Sequence, residues 1–234
     1  EMLYTLRLFL FLGCIVLEPA VMAANVLSVN ATVIAFSGNP VRISKSQPNI
    51  SIPLKKGDTV GENDTIVTKE NEKVKLVTSD YIIVTIIEKS SLQIQSLFSQ
   101  SQKQSSTRLS LLVGKLWLKM KAHSFLQNTN IVITANATAG VRGTEFAIAY
   151  DSQTKKTQSW VLQGEIIFGG KKGNVVVSEG FSSTLEGSGQ PSSPVKIENE
   201  MIQNFKDEQT VSLHEDRKDL EQAVLDMIQQ TTQD

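Results

Sequence analysis

Residues 131–146 read IVITANATAGVRGTEF, and this stretch decides the fold class. It opens on Ile131–Thr134, four β-branched residues of the kind that strands prefer. Gly140 and Gly143 then permit the positive φ that a sharp chain reversal requires. At Phe146 a second alternation of apolar and polar residues is under way. Two strand patterns around a glycine turn, with no 3.6-residue period, predict β structure.

The same pattern continues on both sides of this stretch. Short runs with a period of two residues recur from Val26 to Gly187, separated by turn residues. The runs are Val74–Thr78, Tyr81–Ile87, Lys115–Lys121, Ile131–Thr134, Glu145–Tyr150, Trp160–Leu162, Glu165–Phe168 and Val175–Val177. Because no helical segment lies between them, we expect an all-β fold. The pattern fits a β-solenoid-like or twisted β-sheet or sandwich domain of many short strands, followed by a short C-terminal α-helical segment.

The end of the chain changes character. Residues 189–196 have the composition of a linker, whereas residues 197–230 carry helical signals. We expect two helices, over 197–208 and 213–230. The apolar stripe of the second helix consists of Leu220, Ala223, Val224, Met227 and Ile228. Such a stripe either packs an appendage on the β domain or docks a partner.

The first residues predict export from the cytoplasm. Residues 1–23 combine Arg7, the apolar run Leu8–Leu17 and a small-residue end at Ala23, which is the pattern of a signal peptide. An uncleaved membrane anchor is one alternative, although the apolar run is short for a spanning helix. Lipidation at Cys14 is the other. We therefore expect an extracytoplasmic protein, periplasmic or secreted, bound to a membrane only in these two cases.

Composition excludes several classes of function. The chain of 234 residues has 23 Lys+Arg and 24 Asp+Glu, so it lacks the basic excess that nucleic-acid binding requires. One Cys and two His cannot build a Cys/His zinc site, and we expect no metal and no cofactor. His123 and His214 lie far apart, and Ser152–Lys155 fits the S-x-x-K spacing only within a polar turn. We expect no catalytic residues and no enzyme activity.

The order of strands and glycines resembles that of the FecR domain. The motif that carries the resemblance is Val141-Arg142-Gly143-Thr144-x-Phe146. The resemblance covers residues 27–188 in the right order. Further matching positions are Gly57, Asp58, Thr68, Gly114 and Gly164.

This resemblance implies an extracytoplasmic all-β module of the bacterial cell envelope. The namesakes of the family are inner-membrane regulators, with a cytoplasmic tail that controls a sigma factor and a periplasmic part that senses an outer-membrane receptor. Here only seven residues precede Leu8, and the segment after Gly189 predicts helix. These departures favour a non-enzymatic binding or scaffold module for an envelope protein or glycan. The alternative is an envelope signal-transduction regulator, a FecR-like sensor, whose cytoplasmic part is missing.

The motif residues fit structural roles. Gly140 and Gly143 suit positive φ, and the five donors of Arg142 suit a clip that ties turn carbonyls together. The alternative for Arg142 is contact with a carboxylate or glycan. Asp58 suits the capping of a turn through its side chain. Phe146 suits the core.

A basic and aromatic stripe lies on one face of a predicted strand. It consists of Lys115, Trp117, Lys119 and Lys121, and the opposite face of the strand is apolar. The stripe fits a solvated outer face on which lysine stems cover the indole. It also fits a patch that binds an anionic envelope polymer.

Overall fold

The computed structural model describes residues 30–97, 106–120 and 130–210, without the side chains of residues 206–210. It confirms an all-β fold that ends in one short helix. In chain order the elements are β1 (Ala31–Ser37), β2 (Val41–Ser44), β3 (Gln47–Pro53), β4 (Thr59–Val60), β5 (Thr65–Thr68), β6 (Lys73–Val77), β7 (Ile83–Ile86), β8 (Ser90–Ser96), β9 (Arg108–Lys119), β10 (Asn130–Ile133), β11 (Thr138–Val141), β12 (Glu145–Asp151), β13 (Lys156–Gln163), β14 (Glu165–Gly170), β15 (Gly173–Ser178), β16 (Phe181–Glu186), β17 (Val195–Lys196) and α1 (Asn199–Thr210).

The strands form two sheets that share one long strand. Sheet 1 has the order β4–β1–β6–β7–β9–β12–β13–β16–β17. Sheet 2 has the order β3–β2–β5–β8–β9–β10–β11–β14–β15. The first half of β9, up to Val113, pairs in sheet 2, and its second half, from Gly114, pairs in sheet 1. Among the described strands, β9 and β10 make the one parallel pairing.

One hydrophobic core lies between the two sheets. The inward residues of sheet 1 include Leu76, Leu116 and Phe146, and those of sheet 2 include Ile66 and Phe168. All five are at most 1% exposed. The alternation of inward apolar and outward residues along each strand is what places them on a single core, and burial of this apolar area is the main favourable term in folding.

Two four-strand units repeat within this arrangement. In the first, β5 of sheet 2 leads to the β6–β7 hairpin of sheet 1, and the chain returns to sheet 2 as β8, which pairs with β5. In the second, β11 leads to the β12–β13 hairpin and returns as β14, which pairs with β11. We call these the crossing units. The chain therefore crosses from one sheet to the other twice in each unit. These crossings are the corners that hold the two sheets in position relative to each other.

Two sequence-based expectations change at the C-terminal end. Residues 189–196 are no free linker: β17 adds to the edge of sheet 1, and Ser192 N–H donates to the carbonyl of Thr184 at 2.7 Å. Composition hid this because the segment is short and held mainly by main-chain bonds. The first expected helix is α1, shifted to Asn199–Thr210. Residues 1–23, the second expected helix over 213–230, His123 and His214 lie outside the described residues.

Among the residues that the structure describes, no helix has the length and apolar character needed to cross a bilayer.

Candidate functional site

The motif residues around Thr144 build the corner of the second crossing unit. The Thr144 hydroxyl, 1% exposed, donates to the carbonyl oxygen of Glu165 at 2.9 Å and lies 3.1 Å from that of Arg142. Gly143 takes a φ of 62° and Gly164 a φ of 81°. A Cβ on Gly164 would come within 3.2 Å of the Gly143 carbonyl oxygen. The corner before β12 and the corner before β14 are thus joined by the Thr144 hydroxyl and by the close approach of Gly143 and Gly164.

Thr68 does the same in the first crossing unit. Its hydroxyl donates to the carbonyl oxygen of Ile87 at 2.6 Å and accepts the N–H of Ser90 at 3.1 Å. The residue before the returning strand is Lys89, which takes a φ of 55°, as Gly164 does before β14. The resemblance to the FecR domain pointed to Thr68 and Thr144 as motif residues. It did not show that the two occupy equivalent corners of the crossing units. Glycine marks the returning corner of the second unit in the sequence, but lysine occupies the corresponding position 89 of the first, so the sequence carried only half of the signal.

Gly114 lies where β9 passes from sheet 2 to sheet 1. Its φ is 96°, and a Cβ there would lie 2.5 Å from the Cα of Ser90. The Ser90 hydroxyl accepts the N–H of Lys115 at 2.9 Å. Close backbone approach, in addition to the positive φ, therefore requires glycine at this point.

Gly57 and Asp58 form a turn before β4. Gly57 has a φ of 89° and donates its N–H to the carbonyl oxygen of Val33 at 2.8 Å. The Asp58 carboxylate accepts the N–H of Lys55 at 2.8 Å. This geometry is a side-chain cap of a turn.

Arg142 differs from its expected role as a clip. Its side chain is exposed, and within the described part of the chain its guanidinium makes no hydrogen bond. The Thr144 hydroxyl already contacts the carbonyl that a clip would serve. Gly140 also differs, because it lies in the extended β11, in register with Ile131 and Ile167, and not at a positive φ. Val141 and Phe146, by contrast, lie in the core.

A family model described as FecR protein matches residues 64–166. The match begins one residue before β5 and ends in the second residue of β14, so it spans both crossing units. Over these residues the chain is similar to the FecR domain. The match is shorter than the 27–188 expected from the resemblance, and β1–β4 and β15–β17 extend the two sheets beyond it.

Solved structures have a fold similar to that of this chain. Two crystal structures, at 1.65 Å and 2.50 Å resolution, of a candidate anti-sigma factor from Parabacteroides distasonis ATCC 8503 superpose with a TM-score of 0.52 and 10% sequence identity. The similarity covers 61% of this chain and 64% or 63% of the solved chains, which is less than two thirds of their length. No curated protein matches the sequence.

The basic and aromatic stripe lies on the outer face of sheet 1, but it is covered. Phe205 of α1 packs edge-on against Trp117 and Trp160, with ring centroids 5.7 Å and 5.2 Å apart. The Lys115 ammonium lies 4.4 Å from the centre of the Phe205 ring. Trp117 is only 3% exposed, so the indole is not solvated, whereas Lys119 of the same stripe is exposed. Lys119 pairs with Glu145 at 2.9 Å, and Lys121 lies outside the described residues.

We call this cluster the aromatic slot. It consists of Lys115, Trp117, Ala147, Trp160 and Leu162, and Phe205 occupies it. Ala147 lies in register between the two tryptophans, and its small side chain leaves room for the phenyl ring. Sequence reasoning missed Trp160 and Phe205 because their approach depends on strand register and on the position of α1.

The aromatic slot buries two polar atoms without partners. The indole N–H groups of Trp117 and Trp160 are both buried, and neither has a hydrogen-bond partner in the part of the chain that the structure describes. An unpartnered buried donor costs about 1–3 kcal/mol. This cost offsets part of the favourable burial of the three rings, so α1 is held less firmly than the number of aromatic contacts indicates.

The outer face of sheet 2 carries an exposed apolar surface, which we call the apolar row. Ile131, Gly140, Ile167 and Val176 lie in register across β10, β11, β14 and β15. Ile167 is 55% and Val176 54% exposed. Arg108 pairs in register with Ile131 at the end of the row. Gly140 has no side chain and lies between Ile131 and Ile167, so the surface of the row is flat at this point.

The acidic residues Glu62 and Asp64 accept main-chain hydrogen bonds. Glu62 accepts the N–H of Leu97 at 2.9 Å, and Asp64 accepts that of Gly61 at 3.0 Å and pairs with Arg42 at 3.6 Å. No group of three potential metal ligands occurs within residues 30–97, 106–120 and 130–210.

Ser152–Lys155, which fits the S-x-x-K spacing, lies in the exposed turn between β12 and β13. The neighbouring Asp151 accepts a hydrogen bond from the Thr154 hydroxyl at 2.8 Å, which lowers the pKa of its carboxyl, with help from the N–H of Gln153. These bonds serve the turn.

Proposed function

We propose that this protein is a non-enzymatic signal-transduction regulator of the bacterial cell envelope, and that its FecR domain is the extracytoplasmic part that binds the input partner. The observation that carries the proposal is the family match over both crossing units, residues 64–166. The solved structures with this fold are described as a candidate anti-sigma factor, which supports a regulator over a scaffold.

The apolar row supports a role in protein binding. Ile167 and Val176 project from neighbouring strands on the outer face of sheet 2, and a contiguous exposed apolar surface marks an interaction site more often than an isolated apolar residue does. The exposed side chains of Arg108 and Arg142 lie near it, with Glu165 beside β15. A partner that fits this surface has an apolar centre and an acidic group opposite Arg108.

Transcript profiling tests this proposal in the native host. Strains that carry the wild-type gene, a deletion, Ile167→Glu or Ile50→Glu are compared. Ile50 is a matched control because it is 51% exposed in β3, at the opposite edge of sheet 2. We expect the deletion to change the levels of one defined set of transcripts. Ile167→Glu should produce the same change, and Ile50→Glu should give wild-type transcript levels. A deletion that alters no transcripts contradicts the proposal and favours an envelope scaffold.

A further inference from the structure

We propose that α1 is a releasable latch, and that the regulator changes state when Phe205 leaves the aromatic slot. This inference rests on the proposed function, because it names the conformational step by which that regulator is switched. In the closed state Phe205 fills the slot and is 4% exposed. In the open state Trp117 and Trp160 are exposed, and α1 no longer packs on sheet 1.

The latch is independent of the main core. Trp117, Ala147 and Phe205 form a hydrophobic cluster separate from the one between the sheets. Release of α1 therefore removes no residue from the core that holds the FecR domain together. A local opening at a free energy below that of global unfolding is the expected behaviour of such a satellite cluster.

One aromatic side chain is the main apolar anchor of the described part of α1. Phe205 is its one buried residue among positions 199–205, whereas Ile202 is half-buried and Met201 is 42% exposed. A helix of twelve residues is marginal without tertiary contacts. Removal of Phe205 from the slot therefore takes away the main apolar contact of the described part of the helix.

The aromatic slot also favours release through its own chemistry. The two indole N–H groups lack acceptors while Phe205 is seated, and release gives both of them access to water. The ring contacts and the Lys115 ammonium over the Phe205 ring act in the opposite direction. Opposed terms of this kind give two states that a partner can shift.

Hydrogen exchange of the full chain tests the latch directly. In the wild-type protein we expect the amides of α1 to exchange through a local opening, whose rate does not depend on denaturant concentration. The amides of β12 and β13 should stay protected. Phe205→Ala should raise exchange in α1 by roughly 10- to 100-fold without a change in β12, and Met201→Ala should stay within about 2-fold of wild type. The latch is overturned if α1 exchanges only by global unfolding.

Tryptophan fluorescence gives a second readout. Both tryptophans of the sequence line the slot, so the emission reports on the slot alone. Phe205→Ala should shift the emission to longer wavelength and increase quenching by acrylamide, and Phe205→Leu should give an intermediate result with the fold intact. Emission and quenching equal to wild type in both variants would show that Phe205 does not close the slot.

The cellular arm separates the latch from the proposed function. In the native host, Phe205→Ala should shift the regulated transcripts in the absence of any inducing signal, and Met201→Ala should not. If the deletion strain changes transcripts but Phe205→Ala behaves as wild type, the regulator stands and the latch is wrong. If the deletion strain changes none, the proposed function fails, whereas exchange in α1 still decides whether the helix opens.

Discussion

Thr68 and Thr144 occupy equivalent corners of the two crossing units. Each hydroxyl donates to a main-chain carbonyl at the place where the chain returns from sheet 1 to sheet 2, at 2.6 Å to Ile87 and at 2.9 Å to Glu165. Both side chains are at most 2% exposed. Each hydroxyl supplies a hydrogen-bond donor to a main-chain carbonyl at a corner where the chain changes sheets.

Replacement of either threonine by valine should therefore destabilise the protein. Thr68→Val and Thr144→Val keep the shape but leave a buried carbonyl without a donor, which costs about 1–3 kcal/mol each. Chemical denaturation measures the change in the free energy of unfolding. Thr59→Val, at an exposed position of β4, is the matched control and should stay within about 0.5 kcal/mol of wild type. A wild-type midpoint for Thr144→Val would contradict the corner role.

Gly114→Ala should be far more destabilising than Gly57→Ala. The two glycines have similar φ values, 96° and 89°, but a Cβ at Gly57 meets nothing within 4 Å, whereas one at Gly114 lies 2.5 Å from the Ser90 Cα. We expect a cost of about 1–2 kcal/mol for Gly57→Ala from strain alone. For Gly114→Ala we expect about 4 kcal/mol or failure to fold. Equal costs would show that the close approach at Ser90 contributes nothing.

Lys89→Gly should stabilise the first crossing unit. Lys89 takes a φ of 55° at the position that Gly164 occupies in the second unit, and glycine adopts this region without the penalty of a Cβ. The lost ion pair with Glu70 is exposed and contributes little. We expect a gain of about 0.5–1 kcal/mol in thermal or chemical denaturation. A loss of stability would indicate that the Lys89 side chain matters more than its backbone.

Thr154→Val should raise the pKa of Asp151 toward its ordinary value. The Thr154 hydroxyl is the main cause of the lowered pKa, because it donates to the ionised carboxylate. A carboxyl with a lowered pKa in the folded state contributes stability above its unfolded pKa, and this is lost as pH falls through the folded pKa. Carbon-detected NMR titration of the carboxyl measures the shift. An unchanged titration curve in Thr154→Val would assign the effect to the Gln153 N–H instead.

Much of the sheet could be predicted from local pattern. The runs Val74–Thr78, Ile131–Thr134 and Glu145–Tyr150 agree with β6, β10 and β12 to within a residue or so at each end. The predicted run from Tyr81 begins too early, because Tyr81 takes a φ of 61° in a turn and β7 starts at Ile83. Alternation indicates which residues face inward but does not show the turn that interrupts it.

The candidate site was only half predictable. The stripe of Lys115 and Trp117 was visible on one strand, yet Trp160 and Phe205 complete the slot from a strand and a helix far along the chain. The role expected of Arg142 was wrong because a nearby threonine serves the corner first. Which donor reaches a given carbonyl depends on the distance between them in the folded protein. The spacing of residues along the chain does not give that distance.

The sequence by itself determined the all-β class, most of the glycines that close contacts and positive φ require, and the match of residues 64–166 to the FecR family model. These follow from period, side-chain size and backbone freedom, which are local properties. Only the tertiary structure decided that Phe205 covers Trp117 while Ile167 stays exposed. Both residues face outward from the core, and what lies over an outward face depends on contacts between segments that are distant in the chain.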